Sequence, residues 1–449
     1  MWEPIRSFFT VRINKIMLAI CLTVFAVMLI FDGVGHTNAN TNAKTKVLTI
    51  GAFTGSYWDF QNGYSYHILD DAIKKFEKEH PDVQVRYASG VTREDYTEWL
   101  AEKMVDGKSP DVFFVPNEEY ATFVQTKSMR RLDDLIQRDP GFSLKNFYEK
   151  AVESGQWNGY QYSIPYECSP TVMMVNRTLL SKAGISFPQR EWTWDDFSAI
   201  CQKIQENPKM KNVSCVNGYG WQDAFLSNNT NVIRQNGTKC NFTGDRVYQS
   251  ITFLENLKSI TDKNRNIEAD FYKGNVVFQP MLYSAYRANI TSEYRLQKEG
   301  SFDWSYIAMP AGPSGSNCAM LDVLSLAVST QTRYPKEAWE LLKTLTYDRG
   351  IQSEIFSYTE GISPLRNVTQ SQQIVAKLKR DEGVDLNLDV ISFVMKNAKV
   401  REQYRNYDEI HNELTTAIED ILGNTANVQM EQIVWDRKIN LYLKKIQNP

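Results

Sequence analysis

Apolar and polar positions change their spacing along this chain in blocks, alternating like strands in some and following helical periodicity in others. Val47-Leu48-Thr49-Ile50 predicts a short buried strand, and Leu69, Ala72, Ile73 and Phe76 follow helical spacing that stops before Pro81. Val83, Val85 and Tyr87 return to strand alternation. Thr92, with Asp95 three residues on, predicts the cap of a helix carrying Tyr96, Trp99, Leu100, Lys103 and Met104 along one face. Val112 to Val115 then predicts another buried strand. A strand–helix–strand–helix–strand order opens a doubly wound α/β lobe with a parallel sheet.

A second part begins near Tyr162. Val172 to Val175 predicts a strand, Ala183-Gly184 the end of a short helix, and Thr193 the cap of the next, with Asp195 and Asp196 in its first turn. Val276 to Phe278, Trp304 to Met309 and Leu321 to Val328 read as strands. Pro335 opens a helix with Ala338, Trp339, Leu342 and Leu345 at helical spacing. From Gln370 onward the residues are almost all helix formers.

The N-terminal pattern differs. Arg6, Arg12 and Lys15 precede an apolar run from Ile16 to Phe31, which Asp32 closes ahead of a small, polar stretch. This predicts export, with the cationic end kept in the cytoplasm. The run is shorter than the roughly 20 residues of a spanning helix, yet long for a signal. Cleavage after Ala39 and retention as an anchor both stay open. Beyond the run lie Cys168, Cys201, Cys215, Cys240 and Cys318, an odd number that leaves at least one thiol unpaired in a monomer. Cys215 and Cys240, flanking a Gly/Asn-rich loop, are the best candidate pair; five buried thiols is the alternative.

Composition narrows the function by exclusion. A chain of 449 residues suggests two or three domains or one large two-lobed unit. With 50 basic against 53 acidic side chains it lacks the footprint of a nucleic-acid binder. His36, His67, His80 and His411 are scattered, and no HExxH or CxxC occurs, so neither a catalytic zinc centre nor a cofactor is expected. No phosphate-binding glycine loop follows a strand, and no GxSxG elbow is present. Acidic pairs such as Asp70-Asp71 read as solvated helix turns, which leaves no catalytic constellation. The 10 Trp, 23 Tyr and 22 Phe are mostly core, but they leave room for a stacking ligand site.

In an open parallel sheet, ligands sit outside the carboxyl ends of the strands. The loop after the first strand runs Phe53 to Phe60, and the loop after the third runs Pro116 to Tyr120. Both combine aromatic planes with carboxylates or amides. A flat ring covers the C–H face of a sugar while Asp, Glu, Asn and Arg take its hydroxyls.

Several segments together resemble the bacterial extracellular solute-binding proteins, family 1. They are Phe76 to Val85, Pro110-Asp111-Val112 with Met129 to Leu135, Trp157-Asn158-Gly159 to Tyr166, and Val175-Asn176-Arg177. Lys182-Ala183-Gly184 with Thr193 to Phe197, Lys336 to Leu341, and Gly361 to Pro364 continue the likeness in the family's order. The resemblance implies a periplasmic-binding-protein-like fold: two doubly wound α/β lobes joined by a hinge, with a helix-rich C-terminal part. It implies residues 1–46 as signal or anchor plus linker, 47–168 with 301–365 as first lobe, and 169–300 with 366–449 as second. Carried over by position, first-lobe contacts are Tyr57, Trp58, Asp59, Asn117 and Glu118, and contacts near the crossing are Tyr166, Glu167 and Ser169. The second lobe would add Trp221, Asp223, Tyr283, Tyr286 and Arg287. Asp322 stands where a small glycine-rich turn is common in the family.

What the resemblance implies is a non-enzymatic, monomeric carbohydrate carrier that closes over its ligand and delivers it to an ABC permease. Ile20 before Cys21 argues against a lipid anchor, so the protein would be free outside the cell membrane or held by its own apolar segment. Two rivals differ in class. A glycan hydrolase would need facing carboxylates about 5 to 9.5 Å apart, for which Glu118 with Glu167 is the pair to test. A ligand-sensing module of a membrane receptor would keep its anchor and have no part in uptake.

Overall fold

The computed structural model describes residues 45–58, 66–234, 237–261, 269–291, 302–383, 386–423 and 427–447. The apolar N-terminal run, the cleavage position after Ala39 and Asp59 lie outside the described residues. Among those described, no helix is long and apolar enough to cross a membrane.

Nine strands form one mixed sheet: β1 (Lys46–Gly51), β2 (Val83–Tyr87), β3 (Val112–Val115), β4 (Ser163–Asn176), β5 (Ser214–Val216), β6 (Val276–Leu282), β7 (Trp304–Ile307), β8 (Met320–Val328) and β9 (Lys399–Val400). β1 lies between β2 and β3 and is parallel to both, as the opening pattern predicts. β8 then runs antiparallel to both β3 and β4. β4 belongs to both halves of the molecule. Its residues from Ser163 to Pro170 pair with β8, and those from Thr171 to Asn176 pair with β6 and β7. It is buried along nearly its whole length, which explains why Ile164 to Val175 is so apolar.

Helix ends follow the predicted chemistry. Thr92 Oγ1 accepts from the Asp95 N–H, and Thr193 with Asp196 forms a reciprocal capping box. Gly184 ends the helix Arg177–Ala183 at φ 71°, a left-handed conformation that glycine adopts without steric penalty.

Two apolar cores result. Leu48, Phe76, Leu100, Phe113, Leu326 and Leu342 belong to the first, and Phe197, Phe225, Leu254, Phe278, Ile418 and Leu443 to the second. After β4 the chain passes between them again, for example from Ala319 to Leu321 and from Ala398 to Tyr404. Val368, Ile391, Val394 and Met395, from the C-terminal segment expected in the second lobe, pack in the first core, as do Phe271, Val276, Tyr283 and Tyr286. Amphipathic spacing marks such helices but does not say which core receives their apolar face.

The cysteine pairing also differs. Cys201, on the helix Trp194–Glu206, is bonded to Cys215 on β5 with Cα atoms 5.2 Å apart, while Cys240, Cys168 and Cys318 are free and buried. The helix packs directly on that strand, so the two Cβ atoms meet.

Candidate ligand-binding site

The loops leaving β1 and β3 come together at one end of the sheet. The Tyr57 hydroxyl accepts from the Asn117 N–H at 3.2 Å. Arg93, first residue of the helix Arg93–Val105, sits 5.0 Å from the Tyr57 ring centre and donates to Glu118 Oε1 at 2.5 Å. Asp322, near the start of β8, stands in register with Ser169. Burial pushes its carboxyl up to about 6, with Arg401 pulling it down and Glu118 pushing it further up. Burial, reinforced by Glu118, likewise raises Glu119. Four predicted residues (Tyr57, Asn117, Glu118 and Asp322) thus converge at the carboxyl ends of the strands.

The segment that follows β9 faces them. Gln403 Nε2 donates to Asn117 Oδ1 at 3.2 Å. Arg401 donates to both Asp408 oxygens at 2.9 Å and lies 3.8 Å from the Tyr407 ring centre. Tyr407 stacks on His411 at 3.9 Å, and His411 is 5.4 Å from Trp221, whose Nε1 donates to Thr415 Oγ1 at 3.0 Å. Burial pulls His411 down to about 4, so its imidazole is neutral at neutral pH. Trp221, Phe225, Tyr404, Tyr407 and His411, with Lys150 from the other core's side, line a cavity of about 340 Å³. That volume suits a small ligand. Carboxylates and amides from one core thereby meet a ladder of flat rings from the other.

Arg401, Gln403, Tyr407 and His411 are absent from the sequence-based candidates. Their signal is the run from Arg401 to Tyr407, dense in guanidinium, amide and phenol groups, which interrupts the helix-forming composition of the C-terminal part.

Most of the other candidates form an interior network, which meets the first cluster where Trp58 packs edge-on to Tyr57 at 4.8 Å. Trp58 is 6% exposed, and its indole N–H donates to Glu167 Oε1 at 2.6 Å. The same oxygen accepts from Thr359 Oγ1 at 2.7 Å and from the Gly361 N–H at 2.8 Å. Burial nevertheless pushes Glu167 up to about 7. Arg287, on the helix Tyr283–Thr291, donates to the carbonyls of Gly361 at 2.7 Å and Phe356 at 3.0 Å. Ser169 Oγ accepts from the Ser284 N–H and donates to Ser284 Oγ, both at 3.0 Å. Tyr166 packs edge-on to Phe114, while Tyr283 and Tyr286 pack against Tyr306. Asp223 caps its own helix by accepting from the Gly220 N–H at 3.0 Å. Apart from Asp223, these groups join β4 to the helix Tyr283–Thr291 and to the strap 356–361, and the hydrogen bonds of Glu167 are made there.

Comparison with known proteins bears on the family and the fold. The family described as bacterial extracellular solute-binding protein matches residues 62–350. A "Probable ABC transporter-binding protein" of Deinococcus radiodurans is 26% identical over 48% of this chain and 54% of its own length. An arabinooligosaccharide-binding protein of Bacillus subtilis is 23% identical over 42% of each chain. A periplasmic protein of Shigella flexneri that binds sn-glycerol 3-phosphate is 22% identical over 37% of this chain and 38% of its own length. The chain thus spans about half or less of these relatives. Among solved structures, the cyclic α-maltosyl-1,6-maltose binding protein of Arthrobacter globiformis superposes with a TM-score of 0.73 at 16% identity, covering 89% of this chain and 99% of that one. The sugar-binding protein MalE of Xanthomonas citri gives 0.73 at 14%, over 90% and 98%. The fold is that of the two-lobed binding proteins, and the expected α/β architecture holds.

Proposed function

The chain belongs to the bacterial extracellular solute-binding proteins, and on that premise we propose that it captures a carbohydrate between its lobes and delivers it to an ABC importer. The observation that carries this reading is the meeting of Tyr57, Asn117, Glu118 and Asp322 with Arg401, Gln403 and Tyr407 where the two cores face each other. Rings supply apolar faces, and carboxylates and amides supply paired hydrogen-bond partners for hydroxyls.

The charge pattern favours a neutral ligand. Arg93 is engaged by Glu118 and Arg401 by Asp408, while Lys150 is held by Glu153 at 2.7 Å. Glu119 and Asp322 add further acidity to the same place. A phosphate or organic acid would meet carboxylates and arginines already paired. No turnover is part of this reading: Glu167 Oε1 accepts three hydrogen bonds from its own chain, which suits a structural role. The protein would work as a monomer outside the cell membrane, free or tethered by its N-terminal apolar run, without nucleic acid.

Calorimetric titration tests the proposal, with neutral oligosaccharides (maltose and arabinose series) against glycerol 3-phosphate. Saturable binding of a neutral oligosaccharide at micromolar or tighter affinity is expected. Tight binding of glycerol 3-phosphate with none of any sugar would overturn the carbohydrate reading.

A further inference from the structure

Beside the strap that holds Glu167, two helices of the first core bring three metal-ligating side chains together. His67 opens the helix His67–Glu79, Asp71 lies one turn on, and Glu354 projects from the helix Arg349–Tyr358 packed alongside. One ligating atom from each lies within 4.8 Å of the others. His67 Nδ1 stands 3.7 Å from Asp71 Oδ2, beyond hydrogen-bond length. His67 Nδ1 and Glu354 Oε2 are both shut off from solvent, and neither has a hydrogen-bond partner. Buried polar atoms in folded proteins are nearly always partnered, so these two call for an explanation, while the His67 and Asp71 side chains stay 38% and 46% exposed, open to an ion from solvent. The imidazole is also held in place, stacked on Tyr358 at 3.9 Å and 20°. Among the neighbouring charges, Asp348 pairs with Lys75 at 3.5 Å, and the Lys377 ammonium, which donates to Ser357 Oγ, also acts on Glu354.

We propose that His67, Asp71 and Glu354 form a divalent-cation site of the zinc class that pins these two helices together. One imidazole nitrogen with two carboxylate oxygens is a donor set that zinc and its first-row neighbours accept, leaving one or more positions for water. Ligands around zinc stand about 3.3 Å apart at bond lengths near 2.0–2.1 Å. The site has a mechanical consequence as well. The helix Arg349–Tyr358 runs directly into Thr359 and Gly361, which hold Glu167, so an ion on Glu354 would stiffen the strap that meets Arg287.

The test is calorimetric titration of the chelator-stripped full chain with Zn²⁺ alone, with thermal unfolding recorded alongside. One equivalent should bind at micromolar affinity and raise the unfolding midpoint. Asp71→Asn and Glu354→Gln should each weaken binding at least 10-fold and lose that rise, while His80→Gln, on the same helical segment, should keep both. Circular dichroism of each stripped variant separates lost binding from lost folding. Unchanged affinity in Asp71→Asn and Glu354→Gln, or no saturable Zn²⁺ binding by the native chain, overturns the assignment.

Discussion

Glu167→Gln should change how stability depends on pH, with a sign and size that follow from the environment of the carboxyl. Glu167 is 3% exposed, and one of its oxygens receives all three hydrogen bonds, from Trp58, Thr359 and Gly361. Burial is the largest influence on it, partly offset by the Thr359 and Trp58 donors, and the group ends up at about 7 against an ordinary 4.5. In the folded protein the carboxyl keeps its proton up to about pH 7, whereas the unfolded chain releases it near 4.5. The folded state binds the extra proton between these values, so stability is highest below 4.5, falls as pH rises to about 7, and is level above. At about 1.4 kcal/mol per pH decade the fall is about 3 kcal/mol. Glutamine keeps an oxygen where the three donors need one and cannot titrate. Its amide N–H must find a partner, so the offset between the proteins is open, but the slope is not. Urea unfolding followed by tryptophan fluorescence between pH 4.5 and 7.5 measures both proteins. Asp223 and Asp322, each also pushed up to about 6 by burial, cancel in the difference. The variant should gain about 3 kcal/mol on the native protein across this window. Parallel curves would show that Glu167 does not carry the buried charge.

Trp58→Phe, which removes the donor to Glu167 and trims the buried ring packed on Tyr57, should lower stability by about 1.5–3 kcal/mol in the same urea assay and leave sugar affinity within about 2-fold; a selective loss of affinity would place Trp58 on the ligand instead. Arg401→Ala should weaken sugar binding about 10-fold or more by calorimetry, as truncation of a central contact does, while changing stability by less than about 1 kcal/mol because its partner Asp408 is largely exposed. A large stability loss with unaltered affinity would remove Arg401 from the site. Cys201→Ser should lower stability by about 3 kcal/mol, the loop-closure value for cysteines 14 residues apart, and dithiothreitol should then have no further effect on the variant's urea midpoint.

The architecture was more legible than the site. Strand alternation, helix spacing and the Thr92 and Thr193 caps are local properties, and the elements they predict are present because both cores need those faces buried. Parallel pairing of the first three strands follows from short strands alternating with helices. The site depends instead on which segments the folded chain brings together. Tyr57, Asn117 and Glu118 were readable because sheet topology points the loops after β1 and β3 to one end. Arg401 and Tyr407 arrive from about 280 residues further on and complete the same cluster, which no local pattern indicates. Trp58 and Glu167 have the right chemistry for a ligand, yet they satisfy each other: an indole N–H beside a buried carboxylate forms a hydrogen bond wherever the backbone allows it. Cys201 and Cys215 were hidden for a similar reason, since the pairing depends on a helix packing onto a strand.

Lobe closure around a neutral sugar is the central claim, and small-angle scattering on the full chain measures it directly. The cores are joined by β4 and by further crossings such as Ala319 to Leu321 and Ala398 to Tyr404, a connection about which two bodies can close. The radius of gyration should fall at saturating neutral oligosaccharide and stay constant with glycerol 3-phosphate. A radius that no neutral sugar changes, or that contracts only with the anion, would contradict the account.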